Sequence, residues 1–338
     1  MLKRKMGKTG LEASVISFGG IPIQRSDAEN TCEVVDTLLE KGINYIDTAR
    51  GYTVSEEFLG KALTGRRDKF ILATKSMVRT YESMKKEVDI SLSNLKTDYI
   101  DIYQIHNIPL KDFDTVFGPD GAYKALLEAK EEGKIGHIGA TTHSADALRK
   151  LTDEYADKIE TLMFPFNIIE NQGEEILLEA KKKGIATIAM KPLAGGNIDD
   201  VDLAVRYILN KECIDIVIPG MGDRHEVEAD VCPAEGDFTF TSEDEKKAQE
   251  IIEKLGTTFC RRCGYCAPCT VGINIPSNFL FDNYLRHYEG LQDWARGRYD
   301  SLDKHAGDCI ECGICETRCP YNLPIREMLK RVAADFGK

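Results

Sequence analysis

The sequence contains no uninterrupted apolar run that approaches the roughly 18 residues needed to cross a bilayer. Its N-terminal segment is basic but lacks the apolar core of a secretory signal, which predicts a cytoplasmic protein. Basic residues are in deficit as well, with 44 Lys and Arg against 56 Asp and Glu and a net charge of -12. This balance argues against binding to nucleic acid or to a membrane surface, because both need a basic face.

Cysteine, in contrast, is abundant, with 11 residues in the chain. A reducing cytosol keeps thiols free, so metal ligation is a better explanation for them than a disulfide framework. Eight of the cysteines lie in two runs, "CRRCGYCAPC" at 260–269 and "CIECGICETRCP" at 309–320. We expect Cys32, Cys213 and Cys232, which are scattered, to be ordinary thiols.

The second run has the C-x2-C-x2-C-x3-C-P spacing of bacterial ferredoxins, in which three thiolates bind one cubane and the fourth binds its neighbour. The first run is one residue shorter before its fourth cysteine, and Thr270 stands where the proline would be. Zinc is the alternative, since C-x2-C pairs also suit tetrahedral zinc. Four thiolates in each run and the proline favour two [4Fe-4S] clusters.

The ferredoxin pattern predicts crossed ligation of these two clusters. One cluster would be held by Cys260, Cys263, Cys266 and Cys319, and the other by Cys309, Cys312, Cys315 and Cys269. Because the first run is short, local ligation by Cys269 is the alternative.

Upstream of the cysteines, eight short apolar runs rich in β-branched residues alternate with other stretches. In those stretches apolar residues recur at intervals of three and four residues, as in an amphipathic helix. This alternation over residues 1–255 predicts a parallel (β/α)8 TIM barrel, preceded by a hairpin. A doubly wound sheet is the rival fold, but no G-x-G-x-x-G follows the first strand. Residues 256–338 would form a small α-helical ferredoxin-like domain, with two helices between the runs and one at the C-terminus.

Four polar side chains follow consecutive predicted strands: Asp47, Tyr52 just beyond it, Lys75 and His106. Those types in that order resemble the catalytic tetrad of the aldo-keto reductases. The motifs that carry the resemblance are "YIDTARGY", "ILATK", "DIYQIH", "AMKPLAGG", "VIPGM" and the opening "RKMGKTGLEASVISFGG". Residues 1–255 match this family, and the cysteine-rich segment resembles the ferredoxin-tailed branch of it.

The resemblance implies NAD(P)H-dependent reduction of an aldehyde or ketone, and the residue chemistry agrees. Hydride addition to a carbonyl leaves an alkoxide that needs a proton, which Tyr52 would donate. A nearby Lys75 ammonium would stabilise the phenolate and lower the phenol pKa, and Asp47 would keep that lysine charged. His106 would hydrogen-bond the substrate oxygen and orient it.

For the nicotinamide cofactor, the resemblance implies contacts from threonines after the fifth strand and from two glycine-containing loops. The implied residues are Thr141, Thr142, Lys191, Pro192, Leu193, Gly195, Gly220, Gly222 and Arg224. Met190 stands where an aromatic often stacks on the nicotinamide. Glu226 and Asp230 would repel a 2′-phosphate unless Arg224 or His225 compensates, so the choice between NAD and NADP stays open.

Two classes of function are compatible with this sequence. The first is a carbonyl reductase that acts on a small molecule and whose clusters exchange electrons with an outside donor such as a ferredoxin, or with a bound intermediate. The second is a ferredoxin-like electron carrier or redox sensor in which the barrel is a scaffold. The intact tetrad favours the enzyme, although no flavin motif couples one-electron clusters to a two-electron hydride.

Overall fold

The computed structural model describes residues 1–288 and 290–338. The chain divides into two compact units, the first made of residues 1–193 and 200–240 and the second of residues 194–199 and 241–338. The domain boundary predicted at residue 255 falls at the end of a helix that this division assigns to the second unit. Among the described residues, no helix has both the length and the apolar character to cross a membrane.

The first unit opens with an antiparallel hairpin of β1 (Lys3–Lys5) and β2 (Glu12–Ser14), as the sequence predicts. Eight parallel strands then pair in chain order, each with the next. Their bounds are β3 (Phe18–Gly19), β4 (Tyr45–Asp47), β5 (Ile71–Ser76), β6 (Ile100–Ile105), β7 (Ile135–Thr141), β8 (Thr161–Pro165), β9 (Ala186–Met190) and β10 (Ile216–Ile218). Backbone hydrogen bonds from Ser17 N to Val217 O and from Gly19 N to Pro219 O join the first strand to the last. The predicted (β/α)8 barrel is confirmed.

Helices separate the strands, and several begin at a side-chain cap. Asp27, Ser144, Asp200 and Asp223 each accept a hydrogen bond from a backbone N–H in the first turn of their helix, which satisfies a donor with no helical partner. The helices of this unit are α1 (Ala28–Glu40), α2 (Ser55–Ala62), α3 (Tyr81–Asn94), α4 (Phe113–Phe117), α5 (Ala122–Glu131), α6 (Ala145–Glu154), α7 (Glu174–Lys182), α8 (Val201–Leu209) and α9 (Arg224–Val231).

The barrel interior is a packed apolar core rather than a channel. Tyr45, Ala73, Ile102 and Ile188, from four different strands, are buried within one cluster. Because all eight strands run in the same direction, their carboxyl ends open at one face, where the connecting loops lie. Polar side chains that end or directly follow strands therefore meet at that face.

The second unit is helical, in agreement with the sequence prediction of two helices between the cysteine runs and one at the C-terminus. Its helices are α10 (Ser242–Leu255), α11 (Ile275–His287), α12 (Gln292–Asp300), α13 (Ile314–Thr317) and α14 (Ile325–Phe336). Tyr299 is fully buried, stacks on Phe336 at 3.8 Å between ring centroids, and accepts a hydrogen bond from Ala306 N at 2.9 Å. Cys266 and Cys315 are part of the same buried core.

A glycine in α2 marks a close approach between two helices, and it generates a stability test. A Cβ at Gly60 would lie 2.8 Å from the carbonyl carbon of Leu95 and even closer to Asn94 O, at the end of α3. We expect Gly60→Ala to destabilise the protein by about 1–3 kcal/mol through this clash, although alanine is the better helix former.

The matched control is Gly297→Ala in α12, where a Cβ would meet nothing within 4 Å. This substitution should stabilise the second unit by up to about 1 kcal/mol, because alanine lowers the entropy of the unfolded chain. Thermal unfolding followed by circular dichroism measures both variants. Equal stabilisation by the two substitutions would contradict the close approach of α2 to α3.

Candidate active site and cluster cavities

The four predicted catalytic residues come together at the carboxyl face of the barrel. Asp47 ends β4, Lys75 is the next-to-last residue of β5, and His106 directly follows β6. Tyr52 lies in the loop between β4 and α2. The Tyr52 ring centroid is 4.8 Å from Lys75 Nζ and 6.2 Å from the His106 ring centroid, and the two rings are nearly perpendicular.

A buried ion pair forms the base of this group. Lys75 Nζ donates hydrogen bonds to Asp47 Oδ1 and, at 2.9 Å, to Thr48 O, and both charged residues are almost fully buried. Gln104 Nε2 donates to the other carboxylate oxygen, Asp47 Oδ2, at 2.9 Å. The carboxylate is thus held from both sides, which a buried charge requires.

The pKa shifts follow from this arrangement. Burial alone would lower the pKa of Lys75, but the charges of Asp47 and Tyr52 and the hydrogen bonds to them together outweigh burial, and the pKa lies above its ordinary value. Burial, together with the charge of Lys75, holds the pKa of His106 well below its ordinary value, so this imidazole is neutral at neutral pH.

The pKa of Tyr52 differs in direction from the sequence-based expectation. Burial raises this pKa, and although Lys75 acts in the lowering direction through its charge and a hydrogen bond, the net pKa stays above the ordinary value. Burial therefore prevails over the lysine in the protein without ligands. The phenol remains protonated at neutral pH, as a proton donor must be.

Two side chains that the sequence analysis did not single out support the tetrad. Gln104, which binds Asp47, stands inside the quoted strand "DIYQIH", and a polar residue in the middle of a buried strand was the signal that could have identified it. Arg79 holds the backbone after β6, because its guanidinium donates to His106 O at 2.9 Å and to Asn107 O at 2.8 Å.

A buried carboxylate, also missed from the sequence, anchors the segment that carries Tyr52. Glu56 is 1% exposed and accepts hydrogen bonds from Thr74 Oγ1 and Ser91 Oγ at 2.8 Å each, from Arg50 Nη1 at 2.9 Å and from Asn94 Nδ2 at 3.1 Å. These donors come from β5, from α3 and from the loop after β4. The network thus fixes the start of α2, directly after the loop that carries Tyr52.

The predicted nicotinamide-binding threonines are buried and already bind backbone groups. Thr141 Oγ1 accepts a hydrogen bond from Asn107 N at 2.7 Å. Thr142 Oγ1 donates to Ile108 O at 3.1 Å and accepts from Ser144 N at 3.2 Å. These hydroxyls stabilise the loop that follows His106, and their contact with a carboxamide stays a prediction.

The predicted phosphate-binding turn at 191–196 has the backbone conformation expected of a tight turn, but its glycines are not open. Gly195 and Gly196 have φ values of 67° and 82°. A Cβ at Gly195 would lie 3.0 Å from Asn283 Nδ2, and one at Gly196 would lie 2.9 Å from His287 Cβ. Asn283 Nδ2 also donates to Gly195 O at 2.7 Å. Helix α11 fills the space beside the glycines, so this face of the turn offers no open cradle for a pyrophosphate.

The second predicted phosphate-binding loop, at 220–224, is also in contact with other groups of the protein. Gly222 N donates to the Glu226 carboxylate, and a Cβ at Gly220 would lie 3.1 Å from Pro22 Cγ. Arg224 donates to Glu228 Oε1 at 2.9 Å and to Glu40 Oε2 at 3.1 Å. As arranged, these residues do not offer an open site for the phosphate end of a dinucleotide.

The eight clustered cysteines line two cavities in the second unit. One cavity is lined by Cys260, Cys263, Cys266 and Cys319. The other is lined by Cys269, Cys309, Cys312 and Cys315. Each cavity therefore combines three cysteines of one run with the fourth cysteine of the other. Ile275 lines both cavities.

The two cysteine runs have the same local backbone conformation. Arg262 and Gly264, on either side of Cys263, have φ values of 55° and 84°. Glu311 and Gly313, on either side of the equivalent Cys312, have φ values of 55° and 76°. The identical order of left-handed residues wraps each run around its cavity, and glycine is the residue that adopts this conformation most readily.

The surroundings of the sulfur atoms suit thiolate ligands. Backbone N–H groups two residues further along the chain hydrogen-bond the sulfurs of Cys260, Cys263 and Cys312. Burial raises the pKa of Cys260 to about 11 and that of Cys266 to about 12, so iron would have to displace their protons.

Cluster and single-ion ligation make different demands on these side chains. A zinc ion needs its ligands to converge at roughly 2.3 Å from one point. Within residues 1–288 and 290–338, no group of three or more His, Cys, Asp or Glu is placed to hold a single metal ion.

Comparison with known proteins agrees with this geometry. The model of the aldo/keto reductase family matches residues 15–202, and the model of a 4Fe-4S dicluster domain matches residues 259–324. The chain therefore belongs to the aldo/keto reductase family and carries an iron-sulfur domain at its C-terminal side.

Individual relatives match the barrel portion. The uncharacterized oxidoreductase YqkF of Bacillus subtilis is 31% identical over 219 residues, which are 60% of this chain and 68% of that protein. The NADH-specific methylglyoxal reductase of Escherichia coli is 31% identical over 228 residues, 58% of this chain and 68% of that protein. The holo form of aldo-keto reductase AKR11C1 from Bacillus halodurans superposes with a TM-score of 0.64 at 27% identity, over 74% of this chain and 96% of that one.

An acidic residue in α9 generates a pH-dependent stability test. Asp230, one of the two acids expected to oppose a 2′-phosphate, is 5% exposed, and burial beside Glu226 raises its pKa to about 7. Because the folded pKa is raised, the folded state loses stability as the pH rises from the ordinary carboxyl range to about 7. We expect Asp230→Asn to stabilise the protein at pH 8 by up to about 4 kcal/mol, and by less at pH 5.

Urea unfolding at the two pH values measures this difference. The control is Asp237→Asn, because Asp237 is exposed and the hydrogen bond from Thr239 lowers its pKa, so its amide should not stabilise the protein at pH 8. A gain from Asp230→Asn that is the same at pH 5 and pH 8 would contradict the raised pKa.

Proposed function

We propose that this protein reduces the carbonyl group of a small aldehyde or ketone at the tetrad, with hydride from a nicotinamide cofactor, and that two [4Fe-4S] clusters carry electrons in its second unit. The observation that carries the proposal is the buried Lys75–Asp47 ion pair next to the Tyr52 ring. An isolated buried charge is costly, and a barrel that served only as a scaffold would not need one.

Each residue of the tetrad has a distinct task in this reaction. Tyr52 donates its phenolic proton to the substrate oxygen, and the Lys75 ammonium stabilises the phenolate that remains. Asp47 keeps Lys75 charged, and Gln104 keeps Asp47 in place. Neutral His106 hydrogen-bonds the substrate oxygen and sets its orientation. A nicotinamide, when bound, would supply the hydride to the carbonyl carbon.

The cofactor is proposed from family membership and from the name of the NADH-specific methylglyoxal reductase among the relatives. Thr141 and Thr142 would face the carboxamide, and the turn at 191–196 would face the phosphates after Asn283 and His287 withdraw from it. Glu226 remains an obstacle to a 2′-phosphate, but Asp230 is partly protonated near pH 7 and opposes it less than its charge would suggest.

We assign the cluster ligands in crossed fashion, in accordance with the composition of the two cavities. Each cluster would exchange one electron at a time with an outside partner such as a ferredoxin. In carbonyl reduction itself, both electrons would arrive with the nicotinamide hydride and the proton would come from Tyr52, so that step would consume no electron from the clusters.

A second candidate function is an electron carrier or redox sensor in which the barrel is a scaffold. The packing of α11 against Gly195 and Gly196 favours it, because this packing leaves no open pyrophosphate cradle. A carrier would exchange electrons through its clusters but would not reduce a carbonyl with NADH or NADPH. Steady-state assays of anaerobically reconstituted protein with methylglyoxal and either nucleotide separate the two functions.

Substitution of the proposed acid tests the site directly. We expect Tyr52→Phe to lower methylglyoxal reduction by roughly 10²–10⁴-fold while nucleotide binding, measured by fluorescence, changes little. The control is Tyr99→Phe, since Tyr99 precedes β6 at the end of the strand opposite to His106. Turnover near that of the unmodified protein in Tyr52→Phe would place the proton donor elsewhere.

Metal analysis tests the clusters. Protein isolated without air should contain about eight iron and eight inorganic sulfide per chain. Zinc in place of iron would refute the iron-sulfur assignment.

The crossed ligation has its own test. When Cys309, Cys312 and Cys315 are replaced by serine, one cluster of about four iron should remain. Adding Cys319→Ser to this background should remove it, whereas adding Cys269→Ser should not. The opposite result would establish local ligation.

A further inference from the structure

The residue that follows the fourth cysteine differs between the two otherwise similar runs. Thr270 follows Cys269 and lines the cavity that contains Cys312. Pro320 follows Cys319 and lines the cavity that contains Cys263, the counterpart of Cys312. The two cavities therefore carry a threonine and a proline at equivalent positions.

The threonine contacts a proposed ligand. Thr270 Oγ1 lies 3.4 Å from Cys312 Sγ. Once the cysteine binds iron, its sulfur has no proton, so the threonine hydroxyl has to be the donor. Pro320 has neither a hydroxyl nor a backbone N–H, so it cannot donate to any sulfur.

We propose that Thr270 raises the reduction potential of the cluster held by Cys269, Cys309, Cys312 and Cys315 above the value that a proline at this position would give. The inference rests on the proposed clusters. A hydrogen bond to a ligand sulfur draws negative charge away from the iron, and this stabilises the reduced cluster, which carries one more electron.

The cavity that Thr270 lines has a cysteine ligand at the protein surface. Cys312 is exposed, and Ile310 and Ile314 beside it are 59% and 40% exposed. Because Ile275 lines both cavities, the two clusters would be close neighbours. When the protein holds a single electron, Thr270 shifts that electron towards the cluster of Cys312, the one whose ligand faces solvent.

The experiment is an anaerobic redox titration of the full-length, cluster-loaded protein, followed by electron paramagnetic resonance after iron and sulfide have been measured. Thr270→Val keeps the shape and removes the hydroxyl, and it should lower one of the two midpoint potentials. The expected shift corresponds to roughly a threefold change in the ratio of reduced to oxidised cluster at fixed potential, the size of a weak hydrogen bond. Thr270→Ser should retain the original midpoint.

The matched control is Thr317→Val. Thr317 borders the surface beside Cys312, but its hydroxyl donates to Ile314 O at 2.9 Å rather than to a sulfur. This variant should leave both midpoints unchanged. Pro320→Thr is the reciprocal change, and it should raise the midpoint that Thr270→Val leaves alone.

Two results would overturn the inference. In a fully loaded protein, unchanged midpoints in Thr270→Val, or an equal shift of both, would exclude a specific role for Thr270 while leaving the clusters in place. A protein without iron would overturn the proposed clusters and this role together.

Discussion

Lys75 and Asp47 are charged side chains inside an apolar barrel, and neither is tolerable there without the other. Asp47 comes from β4, Lys75 from β5, and Gln104, which binds the second carboxylate oxygen, from β6. A shift of one residue in the pairing of these strands would turn one of the groups out of the barrel and leave its partner buried and unpaired. The ion pair therefore constrains the register of three neighbouring strands, and the loops that carry Tyr52 and His106 start from those strands.

The sequence was sufficient for the barrel and for the position of the four tetrad residues at one face of it, whereas their catalytic roles stay a prediction. Alternation of strand and helix patterns predicts the eight strands, and parallel strands necessarily bring Asp47, Lys75 and His106 to one face. The polar character of Gln104 within a buried strand could have identified it, but no local pattern indicates which groups Arg79 and Glu56 contact. The direction of the Tyr52 pKa shift was missed for a related reason: the lysine was visible in the sequence, but the extent of burial that opposes it was not.

The turn at 191–196 has the backbone conformation that its glycines predict, but this conformation does not establish what the turn binds. Its glycines predicted a backbone that bends tightly, and Gly195 and Gly196 do have positive φ values. Glycine is equally suited to approach by a phosphate and by a side chain, so the sequence could not reveal that Asn283 and His287 are the groups that approach.

The composition of the two cavities has a consequence for the synthesis of the protein. Three of the four cysteines that line the first cavity are made early in the second unit, but the fourth, Cys319, belongs to the other run. A nascent chain that has reached only Cys269 holds an incomplete set for either cavity. Neither cavity can receive its full set of cysteines while the ribosome is still translating the segment between the runs. Under the proposed crossed ligation, neither cluster would have all of its ligands before the second run has been translated, and by then the barrel has already been synthesised and can fold first.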